Sequence, residues 1–260
     1  MIVNYPTIFL ILFPFLLLAI LFPLKERYQL ENKLLRTHDW SLIPGIIAAG
    51  LYSVGHITLS IWNTIPILRI FKCNLFNWNL ATSIWIICIL TLISIYFQYG
   101  RRVSIIQTFN LRYNYLPFIF KLCGVLSVVI FLIYYFSDFS PSFTQREFKI
   151  DRLKSIDAKN VVLDFLVGII LGPSIEEFIY RGLIYPPLYR KVGRFMAVVL
   201  SSLIWTSGHF ESLVSWVGIF LIGIMLAWLY DRNGSLIHPI VFHMFRNSWI
   251  FIYYLAEVLK

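Results

Sequence analysis

The chain of 260 residues is 59% hydrophobic and 13% charged, with a mean hydropathy of +0.76 and a formal net charge of +9. That composition lies far outside the soluble range, fits a polytopic membrane protein and leaves no room for a large soluble domain. In a soluble chain the positive charge would suggest nucleic acid, but here Lys and Arg sit mainly between apolar spans, where they act as orientation and lipid-headgroup signals. The lipid bilayer is the expected partner, and nucleic acid is not.

Apolar runs predict eight membrane-spanning helices, at about 6–24, 41–61, 78–98, 115–136, 161–185, 195–213, 214–230 and 235–257. The first lacks a basic n-region and a small-residue cleavage site, so it reads as a retained span. The first four spans, within residues 1–150, carry few candidates for chemistry. His56 reads as a helix-packing histidine and Lys121 as a snorkelling lysine, while Cys73, Cys88 and Cys123 have no metal or disulfide spacing and read as packing residues. The segment 137–160 mixes aromatic and basic residues and reads either as an amphipathic piece along the headgroups or as a solvated loop. Lys and Arg between the spans weakly favour both termini outside. In the fifth span Gly172-Pro173 predicts a break and Pro186-Pro187 a stop, so a fresh half-helix is expected to start near mid-membrane. No repeat or linker divides the chain. The expected fold is an all-α polytopic helical bundle, a single membrane domain over 1–260 with a broken helix at its Glu-Glu motif, and the expected location is the cell (plasma or inner) membrane.

The stretch Gly172-Pro173-Ser174-Ile175-Glu176-Glu177-Phe178-Ile179-Tyr180-Arg181-Gly182 sets three ionisable groups inside apolar sequence. Each would cost about 2.5 to 3.5 kcal/mol near a bilayer centre, so they must be paired, solvated or both. On a helix, residues four apart share a face. Glu177 is therefore expected beside Arg181, with Glu176 turned about 100° away and left available. Two later spans carry further polar residues, His209 in one and His243 with Asn247 in the other. At a rise of ~1.5 Å per residue, Glu176 lies roughly 14 Å in from Tyr185, His209 roughly 22 Å from Arg194, and His243 and Asn247 roughly 14 and 20 Å in from Gly234, so all four can share one cavity.

The series Glu176-Glu177-x-x-x-Arg181, Trp205-x-x-x-His209 and His243-x-x-x-Asn247, each motif on its own span, resembles the CAAX-endopeptidase and bacteriocin-processing (CPBP) family of intramembrane proteases over about residues 165–250. The resemblance implies an intramembrane endopeptidase whose catalytic spans are 161–257. It implies that Glu176 is the water-activating base, His209 its helper, and His243 with Asn247 the oxyanion stabilisers, with Glu177 and Arg181 in support. Trp205 stands where the family usually has Phe. The substrate would be a peptide or protein at the membrane, with a prenylated tail or a leader peptide among the options. Two histidines and one or two glutamates could also ligate zinc, but no HExxH pair is present, so no cofactor is expected and zinc is the alternative. A non-hydrolytic role, transporter-like or as an immunity or scaffolding protein, is the competing class. Against it stand the lack of a second broken span and the competent residues at all four positions. Arg246 could pair with Glu177 or Asp164 or bind a substrate carboxylate, and His238 reads as interfacial.

Overall fold

The computed structural model describes residues 40–64, 78–100, 123–124, 158–209 and 213–258. The expected span 6–24, most of 115–136, the segment 137–157, Lys121, Cys73 and the side chain of His56 lie outside what is described. Helix α1 is Ile43–Thr64; α2 is Trp78–Ile95, prolonged by a π-helical turn at Tyr96–Gly100. A long composite helix follows: α3 (Ala158–Phe165), a π turn at Leu166–Leu171, α4 (Gly172–Glu177) and a second π turn at Phe178–Ile184. Then come α5 (Tyr185–Ser207), α6 (Leu213–Asn233) and α7 (Ile237–Val258). No strand occurs among the described residues, in keeping with an all-α bundle.

The expected break at Gly172-Pro173 is not made. Gly172 keeps helical angles (φ −57°, ψ −59°), and the chain crosses the proline by widening its helix rather than ending it. The reason is local. Pro173 has no N–H to give, and its ring crowds the carbonyl one turn back; a π turn relieves that crowding. Gly172 donates its N–H to Val167, five residues back, and a Cβ at Gly172 would stand 2.8 Å from that carbonyl oxygen. The expected stop at Pro186-Pro187 is also not made, because these prolines sit in the first turn of α5, where their fixed φ suits a helix start. The Leu183 carbonyl, whose usual donor four residues on would be Pro187, accepts instead from the Trp40 indole at 3.2 Å. The true interruption comes at Gly193, whose φ of 77° and ψ of 173° kink α5. Asp231 of α6 clasps both sides of that kink, accepting from the Tyr185 hydroxyl at 2.6 Å and pairing with Arg194.

Small residues let α1 close on the composite helix and α6 close on α5. Along α1 the buried face runs Gly45, Ala48, Tyr52 and Gly55, spaced three or four apart. A Cβ on Gly45 would come within 2.6 Å of Ile184 Cγ1 and 3.2 Å of the Leu183 backbone, so α1 lies directly against the second π turn. Gly223 does the same for α6: a Cβ there would meet Trp205 Cε3 at 2.9 Å and Ser202 Cβ at 3.1 Å. Gly223→Ala is thus expected to push α6 from α5 and cost about 1 to 3 kcal/mol. Gly50, with nothing within 4 Å of its would-be Cβ, is the control. A drop in the detergent-solubilised melting temperature for Gly223→Ala but not for Gly50→Ala is the expected result, and equal melting of both would refute the close-packing account.

The opposite faces of α1 and α2 are apolar and exposed, with Ile43, Ile46, Ile47 and Val54 on one and Ile84, Ile87 and Leu92 on the other. Among the described residues one window, Thr82–Tyr99, is by itself long and apolar enough to cross a bilayer, and only 28% of it is buried within the protein. Helix α7 falls short of that standard because His243, Arg246 and Asn247 interrupt its apolar run.

Candidate active site

Two adjacent carboxylates project from α4 and meet different surroundings. Glu177 is fully buried and ion-paired: its Oε1 lies 3.2 Å from Arg181 Nη1 and 2.9 Å from His243 Nδ1. Arg181, also fully buried, reaches onward, with Nη2 donating to the Gly223 carbonyl at 2.9 Å and the guanidinium lying 5.0 Å from the Trp205 ring centre. The close approach of α6 permitted by Gly223 is therefore what presents a carbonyl to the buried cation. Glu177 Oε2 and Arg181 Nε find no partner among the described residues.

Glu176 is one residue earlier and faces another way. Its Oε1 accepts from the Tyr52 hydroxyl of α1 at 2.9 Å, and its Oε2 accepts from the Trp205 indole N–H of α5 at 2.6 Å. No Lys or Arg side chain is hydrogen-bonded to it among the described residues, and about 15% of its side chain stays accessible. His243 Nε2 stands 4.0 Å from Glu176 Oε2, so this one imidazole spans the two carboxylates. With Nδ1–H given to Glu177, the tautomer is set, and Nε2 carries a proton only when the ring holds both.

The donors that hold Glu176 are thus Tyr52 and the indole N–H of Trp205, and the expected helper His209 lies one contact further out. His209 instead bonds through Nδ1 to the Trp205 carbonyl at 3.1 Å and sets its ring edge-on to the indole at a centroid distance of 4.9 Å. It makes no hydrogen bond to Glu176. Its contact is with the residue that holds Glu176. A sequence signal for Tyr52 does exist in the Gly45, Ala48, Tyr52, Gly55 face, whose small members mark where α1 lies closest to its neighbours.

Asn247 is one turn along α7 from His243 and shares its face. Its Nδ2 donates to the Gly168 carbonyl at 2.9 Å, and its Oδ1 accepts from Arg246 Nη1 at 3.1 Å. The π turn explains the first bond. Gly172, which would serve Gly168 in an α-helix, donates to Val167, and the next residue is Pro173 with no N–H, so Gly168 has no donor inside its own helix. An Asn amide has two N–H groups, and one of them remains after Gly168 is served. Arg246 thus contacts Asn247, and His238 is buried within the protein in the first turn of α7. Among the described residues no three His, Cys, Asp or Glu side chains are grouped so as to hold a metal ion.

The site thus holds a buried Glu-Arg pair, a second glutamate kept apart from it and a histidine between the two carboxylates. Residues 158–249 match the model of the Rce1-like family, described as type II CAAX prenyl endopeptidase Rce1-like. The chain is 34% identical over 98 residues to "Putative membrane peptidase YdiL" of Bacillus subtilis (strain 168), covering 38% of this chain and 40% of that protein. It is 30% identical over 146 residues to the membrane-embedded CAAX protease MroQ of Staphylococcus aureus (strain USA300), covering 52% and 55%. The chain thus spans about half or less of the length of these curated relatives. No solved structure matches it. Glu176, Glu177, Arg181, His209, His243 and Asn247 all fall inside the family match, and Tyr52 falls outside it.

Proposed function

We propose that the protein is an intramembrane endopeptidase that hydrolyses a peptide bond of a membrane-associated, prenylated or leader-type peptide with Glu176-activated water and no metal. The observation that carries this reading is the division of labour between adjacent carboxylates. Glu177 is ion-paired and buried, whereas Glu176 is held by two neutral donors and stays accessible. Each oxygen of Glu176 keeps a lone pair for a further hydrogen bond. The 4.0 Å between its Oε2 and His243 Nε2 is a separation that one bridging water spans.

In this reaction Glu176 takes a proton from that water, the water oxygen bonds to the carbonyl carbon of the scissile amide, and the carbonyl oxygen becomes an oxyanion. The second amide N–H of Asn247 and, when its ring is doubly protonated, Nε2–H of His243 stabilise that oxyanion. The proton held by Glu176 then passes to the amide nitrogen as the C–N bond breaks. His209 supports the base by holding the turn that carries Trp205, while Glu177 and Arg181 fix His243 and α6. We read the chain as one multi-pass domain of about eight spans in the cell membrane, with the four N-terminal spans in 1–150 and the catalytic spans in 161–257.

The test is a detergent assay of the purified protein on a membrane-peptide library, with metal content measured alongside. Slow chelation should leave the rate unchanged, and active protein should carry well under one equivalent of metal. Asn247→Ala should lower kcat by ~100 to 1000-fold without altering metal content. Stoichiometric zinc, lost together with activity in Asn247→Ala and His243→Ala and restored by adding zinc, would overturn the metal-free mechanism.

A further inference from the structure

Glu176 needs a fixed direction as well as a fixed charge state, because a base that rotates away from its water loses proximity. Its side chain has three rotatable bonds and begins on a π-flanked helix, so the helix alone does not fix it. Two groups from other helices do. The Tyr52 hydroxyl meets Oε1 at 2.9 Å and the Trp205 indole N–H meets Oε2 at 2.6 Å, one donor for each oxygen, from two different helices, α1 and α5.

We infer that Tyr52 and Trp205 are positioning residues that clamp the Glu176 carboxylate between them, and that the N-terminal half of the chain supplies half of this clamp. The inference rests on the reading of Glu176 as the base. Three observations support it. Tyr52 is buried, and the glycine at Gly45, two turns earlier on the same face, is what allows α1 to lie against the composite helix. Trp205 is itself oriented from several directions: the His209 ring packs on it at 4.9 Å, His243 at 5.5 Å and the Arg181 guanidinium at 5.0 Å, and its own carbonyl is bonded by His209. Both donors are uncharged, so they hold the anion without placing a cation on it, and the cation nearby goes to Glu177. The clamp also gives a chemical reason for a tryptophan at a position where a phenylalanine offers a ring and no donor.

Tyr52→Phe and Trp205→Phe remove one donor each while keeping an aromatic ring. The experiment compares both, and Glu176→Gln, with the wild type in detergent, reading kcat, KM and melting temperature on one cleaved membrane peptide. Each single substitution should lower kcat by roughly 10- to 100-fold, with KM and melting temperature within error of the wild type, because the lost bond is to a charged group that acts only in the chemical step. The double variant should fall by less than the product of the two single losses, since both donors hold one carboxylate. If Glu176→Gln is inactive while Tyr52→Phe and Trp205→Phe keep wild-type kcat, the clamp is wrong and the base stands. Losses that appear only in KM, or that track a fall in melting temperature, would equally overturn the clamp by making the two residues substrate contacts or packing residues. Full activity of Glu176→Gln would remove the base and the clamp with it.

Discussion

Arg181→Ala is expected to lose most of the folded protein. The substitution strands Glu177 in a site with no water access, takes the donor from the Gly223 carbonyl and removes the cation from beside the Trp205 ring. Breaking a buried ion pair by removing one member costs about 3 to 5 kcal/mol, a large share of the stability of an ordinary domain. Arg181→Lys should recover only part of the loss. An ammonium is a point charge on a flexible stem and does not reproduce the planar fork that serves Glu177 and Gly223 together. The quantities to measure are membrane-inserted yield and melting temperature in detergent. Wild-type values of both for Arg181→Ala would refute the view that this ion pair ties α4, α6 and the second π turn into one unit.

Glu176→Gln has the opposite signature, an intact fold and no turnover. The amide has nearly the shape of the carboxylate and its oxygen can still accept one of the two hydrogen bonds, from Tyr52 or Trp205, so packing is preserved. What is lost is the ability to take a proton from water. General-base catalysis contributes about 10² to 10⁴ in rate, and in a buried site no bulk buffer replaces it. Yield and melting should therefore stay near the wild type while kcat falls by at least ~100-fold. A variant that accumulates normally and also turns over normally would move the base to another residue.

Much of the site could be read in the chain, because membrane sequences make polar residues conspicuous. Glu177 four residues before Arg181 required only helical spacing, and the paired charges are where that spacing puts them. His243 and Asn247 share a face for the same reason. The spacing could not supply their partners, which depend on backbone detail in a different helix. Asn247 meets Gly168 because a π turn leaves that carbonyl without a donor, and a π turn is not visible in a hydrophobic pattern. The same turn misled the reading of Gly172-Pro173 as a break. Proline was rightly seen as incompatible with a regular α-helix, but widening the helix is a second answer to the same crowding. At Pro186-Pro187 the position within the helix decided the matter, and the kink moved to Gly193, the residue able to adopt φ of 77°. A tyrosine in an apolar span is ordinary, so nothing in the local sequence beyond the small residues of its face singles out Tyr52. Only the packing of α1 turns its hydroxyl into a partner of Glu176.

The most direct test of the central claim is mass-spectrometric analysis of a membrane peptide incubated in detergent with purified wild-type protein and, in parallel, with an equal folded amount of Glu176→Gln. With no ion gradient available in detergent, hydrolysis by Glu176-activated water predicts one discrete pair of fragments, together adding the mass of one water, from the wild type and none from the variant. Fragments of equal yield from both proteins would contradict the role of Glu176. An uncleaved library with the wild type, alongside gradient-dependent uptake in proteoliposomes, would contradict the protease reading itself.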